Sequence, residues 1–136
     1  MKHRGVLSLA LGLVLGAGSM ELLHAQQQAG GIKRTMLQKG DLIDIPGREV
    51  IMGTAEIPPG GSAGRHTHFG TEVGYVLEGT AVFEVEGYPP RELKPGDSYF
   101  VEPGKVHDAK VTSSGPAKVL AIYIVEKGKP LATPAP

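Results

Sequence analysis

Three histidines and one glutamate of this 136-residue chain stand where such side chains could close on a single ion. His66 and His68 form a His-x-His pair in a segment, 65–69, that the pattern predicts as a strand. Side chains alternate faces along a strand, so both imidazoles leave the same side. Glu72 follows four residues after His68, across Phe69-Gly70-Thr71, and can reach back to the same point. His107 comes 35 residues later, just past Pro103-Gly104, where a partner strand would begin. Imidazole nitrogen with carboxylate oxygen suits one borderline divalent metal ion: manganese or iron first, with nickel, cobalt or zinc as alternatives. A lone strand histidine is ordinarily a satisfied polar residue, and a glutamate after a turn a solvated charge. Here, however, the other two histidines, His3 and His24, both fall in the first 25 residues, so every later histidine belongs to the group.

Positioning such a group calls for short strands, and the chain from Asp41 onward supplies them. Short segments rich in apolar residues are predicted as strands at 42–45, 49–57, 65–69, 72–77, 81–85, 91–94, 99–101, 107–112 and 119–125. Turn signals such as Pro58-Pro59-Gly60-Gly61, Glu78-Gly79 and Pro95-Gly96-Asp97 separate them. That spacing predicts an all-β sandwich or barrel. Ala81, Phe83 and Val85 alternate with Val82, Glu84 and Glu86, which predicts one dry and one wet face. The run 119–125, VLAIYIV, is apolar throughout and predicts a strand covered on both sides.

The spacing Gly60-x5-His66-x-His68-x3-Glu72-x6-Gly79 resembles the first signature motif of the cupins at every defined position. Gly96-x5-Glu102-x-Gly104-x2-His107-x3-Val111 is similar to the second, with Glu102 and Val111 in place of its usual proline and asparagine. The resemblance covers about 50–125. It implies an antiparallel jelly-roll β-barrel with His66, His68, Glu72 and His107 as metal ligands inside its mouth. No phosphate-cradling glycine loop is present.

Four protein ligands on an ion that prefers six leave two positions for water, dioxygen or a chelating molecule. The expectation is a metal-dependent oxidoreductase, dioxygenase- or oxidase-like, acting on a small oxygen-rich molecule, because no second protein base lies nearby in sequence. A non-catalytic small-molecule or metal-binding module is the alternative, and a lyase or isomerase a further one. Lyases of this fold often carry a tyrosine two residues after the ligand glutamate; here that position is Gly74. On a regular strand Gly74 shares a face with Glu72 and Val76. It either leaves room for a substrate beside the ion or marks a bulge or a crowded backbone crossing. No residue is singled out as catalytic.

Gly and Pro number 20 and 11 and are scattered without period, which excludes collagen. Cysteine is absent, excluding disulfides and thiolate ligands. Lys2, His3 and Arg4, an uncharged run 6–20 and Leu23-His24-Ala25 have the order of a secretory signal peptide, too short to span a bilayer. Residues 1–25 are therefore expected to be cleaved, sending the protein to the periplasm or outside the cell, with an uncleaved signal-anchor as the alternative. A leader 26–40, the domain 41–127 and a disordered tail 128–136 would follow. Without residues 1–25 the chain carries 12 basic and 13 acidic groups, a net of −1. Nucleic acid and, after cleavage, stable membrane association are not expected as partners. The expected partner is a small-molecule substrate or ligand, with a homodimer left open.

Overall fold

The computed structural model describes residues 31–136, so the signal-peptide expectation lies outside the described residues. The strands are β1 (Lys33–Asp41), β2 (Arg48–Ile57), β3 (His66–Thr67), β4 (Gly70–Glu78), β5 (Ala81–Val85), β6 (Arg91–Leu93), β7 (Ser98–Val101), β8 (His107–Val111), β9 (Ala117–Glu126) and β10 (Thr133–Pro134). They form two five-stranded antiparallel sheets, ordered β1-β2-β9-β4-β7 and β10-β3-β8-β5-β6. The all-β jelly-roll architecture is thus present. Its barrel is two facing sheets rather than one hydrogen-bonded cylinder. No helix among the described residues is long and apolar enough to cross a membrane.

Alternation sets the inner faces. β4 buries Glu72 and Val76 while Val73, Tyr75 and Leu77 are exposed, and β5 buries Ala81 and Phe83. β9 turns Ala117, Ala121, Tyr123 and Val125 inward. Its other face is only partly covered: Ile124 is 37% exposed, because no second layer lies over that side among the described residues. The two-sided cover expected for this strand is therefore incomplete. Outward residues line up across the sheet as Met52, Ile122, Val73 and Phe100, an apolar row on four adjacent strands.

Three boundaries differ from expectation. Residues 42–45 form a turn, closed by the Ile45 amide donating to Leu42 O, rather than a strand. The segment read as a leader contains β1, which pairs with β2 from Lys33↔Glu56 to Asp41↔Glu49. β1 is an edge strand that is mostly exposed; backbone pairing holds it and leaves little apolar alternation in its sequence. The segment read as a disordered tail contains β10, paired with β3 through Thr133↔Thr67 and Pro134↔His66. Its few apolar residues concealed this, since the attachment is again through the backbone.

Candidate metal centre

β3, β4 and β8 bring the four expected ligands together. His66 pairs with His107 across the β3–β8 ladder, and Glu72 faces them from β4 on the opposite sheet. His66, His68, Glu72 and His107 are all buried, and one ligand atom from each lies within 4.8 Å of the others. The ring centroids are 4.9 Å apart for His66–His68, 4.1 Å for His66–His107 and 5.0 Å for His68–His107.

Each imidazole has one nitrogen committed to the backbone. His66 Nδ1 lies 2.6 Å from Gly64 O, His107 Nδ1 lies 3.0 Å from Lys105 O, and His68 Nδ1 meets Leu131 O. A carbonyl only accepts, so each Nδ1 must carry the proton. In a neutral ring the Nε2 lone pair is then free to bind a cation. His68 Nε2 is 2.9 Å from Glu72 Oε2 yet makes no aligned hydrogen bond, and His107 Nε2 is 3.1 Å from the same oxygen. Lone pairs packed this closely around a carboxylate, out of water, require a shared proton or a cation between them. The donor set fits a divalent ion.

Charge balance agrees. Burial, helped by neighbouring His107, lowers the His66 pKa from 6.5 to about 4, so this ring is neutral at ordinary pH. Burial works against the charge of Glu72, but the His107 and His68 imidazoles beside its carboxylate outweigh burial and hold the carboxyl well below the usual range.

Sequence reasoning missed three groups. Tyr99, paired with Gly74 across β4–β7, donates its hydroxyl to Glu72 Oε1 at 2.8 Å. A Cβ at residue 74 would overlap the Tyr99 ring, so the vacancy expected beside Glu72 is filled by a neighbour's phenol. The space is crowded, but by a side chain from β7 rather than by a backbone crossing. Tyr123, opposite Glu72 on β9, also interacts with Glu72 and with Arg34. Burial, then the charge of Glu72, raises both phenols above their ordinary pKa. A cavity of about 50 Å³ runs from the ligand group between the sheets, past Arg34, Phe83, Tyr99 and Tyr123. Its remaining walls are mostly aliphatic, and among the described residues Arg34 is the one cationic side chain lining it apart from histidine.

Residues 53–123, more than half of the chain and all four candidate ligands, match the family described as "Cupin domain". The chain belongs to the cupin family. Among known relatives of this cupin, the dimethylsulfoniopropionate lyase DddQ of Ruegeria pomeroyi is 38% identical over 58 residues, 43% of this chain and 28% of the relative. Its crystal structure superposes with a TM-score of 0.57 and 28% identity, covering 63% of this chain and 43% of the other. An oxalate-binding protein of Thermotoga maritima is 35% identical over 71 residues, 52% of this chain and 58% of the relative. An RmlC-like cupin of Shewanella frigidimarina superposes with a TM-score of 0.58 and 25% identity, over 73% and 80% of the two chains. The cupin thus spans less than two thirds of either curated relative's length. Arg34 and Leu131 both lie outside the range the family match covers.

Proposed function

We propose that this cupin holds one divalent metal ion on His66, His68, Glu72 and His107 and acts with it on a small carboxylate-bearing molecule. The observation that carries the reading is the three Nδ1 protons committed to backbone carbonyls, which leaves three Nε2 atoms beside a buried carboxylate. A bound metal would supply Lewis-acid polarisation of a carboxylate or carbonyl oxygen. Manganese and iron are the leading candidates for such a nitrogen–oxygen set.

The chain's own residues provide the rest. Tyr99 donates to Glu72 Oε1 and leaves Oε2 turned toward the histidines. Both phenols stay protonated; because the Tyr99 proton is held by Glu72 Oε1, donating it to a developing negative charge requires exchange of that hydrogen bond. Arg34 gives the cavity a positive charge suited to a carboxylate, and the aliphatic walls exclude water. Oxalate and dimethylsulfoniopropionate, named in two relatives, are both carboxylates.

The oxidative expectation rested on the lack of a second acid–base group. Tyr99 and Tyr123 supply such groups, so lyase or isomerase chemistry comes first in this reading. Oxygen-dependent turnover is the second reading, favoured by the apolar walls around the ligand group. The basic–apolar–small order of residues 2–25 supports export to the periplasm or beyond.

The test is metal analysis of native protein purified without an affinity-column metal, followed by a panel of small carboxylates under air and nitrogen. Equal turnover in both atmospheres supports the first reading, and oxygen uptake coupled to turnover supports the second. Ligand-dependent melting shifts without turnover would mean a binding module. Native protein free of metal, and unable to take any up, would reject the proposal.

A further inference from the structure

Two of the three candidate histidines take their backbone acceptor from the residue two positions earlier: His66 from Gly64 and His107 from Lys105. Such contacts form wherever the local turn forms. His68 is different, because its acceptor, Leu131 O, is 63 residues away in sequence. The orientation of this one ring therefore depends on where a distant segment lies.

That segment is built to stay over the site. After β9, Gly128 at φ 75° redirects the chain, and residues 129–136 cross from one sheet to the other. Leu131 packs on the inner cluster of Ala121, Tyr123 and Val125. Thr133 and Pro134 pair with Thr67 and His66, the Ala135 amide donates to Arg65 O, and Arg65 Nε donates to Pro136 O at 2.6 Å. β3, which carries His66 and ends just before His68, is only two residues long and pairs with β8 at a single position. Its other neighbour is β10.

Resting on the metal reading above, we infer that residues 129–136 are a positioning strap: Leu131 O fixes the tautomer and rotation of His68, and β10 completes the support of β3. Among the described residues, Leu131 O is the acceptor that His68 Nδ1 meets while Nε2 is turned toward Glu72. If the strap lifts, the proton can move to Nε2 and the ring can turn, so one of the four ligand atoms is lost without any change in ligand identity. Loss of an outer partner of a ligating histidine ordinarily weakens metal binding about 10- to 100-fold.

The test uses the full chain with zinc as the probe. The double variant Leu131→Gly/Thr133→Pro loosens the apolar anchor and the β10 pairing, and Leu131→Met is the conservative control. Zinc affinity is measured by competition with a chromophoric chelator. Long-range proton–nitrogen correlation spectra of the imidazoles report which ring nitrogen carries the proton. The expected result is a zinc Kd about 10- to 100-fold weaker in the double variant. His68 should lose its Nδ1-protonated signature while His66 and His107 keep theirs, and Leu131→Met should behave as wild type. A folded double variant with wild-type affinity and an unchanged His68 tautomer would overturn the inference. Should the double variant misfold, Leu131→Gly alone decides by the same two readings. If wild-type protein binds no zinc, the metal reading fails, whereas the ring-proton spectra of the zinc-free chains still decide the role of the strap.

Discussion

Glu72 carries more of this site than any other single residue, since its two oxygens divide the work. Oε2 faces His68 and His107, and Oε1 accepts from Tyr99. Replacing His107 with Ala should lower metal occupancy severely and leave the sheets folded, because His107 meets β3 at one ladder position only. Glu72→Gln should also weaken binding, by removing the one anionic donor. Near-equal metal content in wild type and both variants, measured by elemental analysis, would reject the ligand assignment. Tyr99→Phe keeps the ring over Gly74 but frees Oε1, and one hydrogen bond to a charged group is worth about 1.5–3 kcal/mol. A destabilisation of that order by urea titration is expected, with little change in near-ultraviolet dichroism. His66 gives a pH prediction for the metal-free protein. Its folded pKa, about 4, lies below the 6.5 of an unfolded chain, so the unfolded state gains the proton first as pH falls. This stability is fully present above 6.5 and drains away between 6.5 and about 4. At about 1.36 kcal/mol per pKa unit the loss amounts to about 3 kcal/mol. His66→Gln should flatten the profile across that window; parallel profiles for the two proteins would contradict the assignment.

Strand pairing explains why the ligands were legible in the sequence and their supports were not. His66, His68 and Glu72 are visible because period-2 alternation and short spacing act within one stretch of chain. His107 was visible by residue type and by the turn before it. Tyr99 becomes a neighbour of Glu72 only through the β4–β7 register, which places it opposite Gly74. The available signal was Gly74 itself: a glycine two positions from a ligand on a buried strand face leaves a hole that a large residue on the next strand must fill. Tyr123 was read simply as part of an apolar run, although its hydroxyl needs a polar partner when buried. Arg34 and Leu131 were lost because β1 and the strap are held by backbone hydrogen bonds, which leave no hydrophobic period. Gly74→Leu is the corresponding test. With the Tyr99 ring in the way, overpacking should cost about 1–3 kcal/mol or more, rather than merely closing an open pocket. A variant of wild-type stability would show that the ring yields easily.

At the scale of the whole molecule, the centre draws on both sheets and on segments far apart in the chain. Glu72, Tyr99 and Tyr123 come from one sheet, and His66 and His107 from the other. A metal bound there would fasten the sheets together from inside. Its removal by a chelator should lower the melting temperature, and saturating metal should raise it in proportion to the logarithm of free metal over Kd. Identical melting curves with and without chelator would deny that link. The dependence of His68 on Leu131 has a further consequence, which thermodynamic reciprocity makes unavoidable. Whatever free energy the docked strap adds to metal binding, bound metal must return to docking of the strap. The amides of Leu131, Ala132, Thr133 and Ala135 should therefore exchange with deuterium more slowly in the loaded protein, by the same factor that undocking weakens the metal. A chain segment that touches no metal would then report its presence.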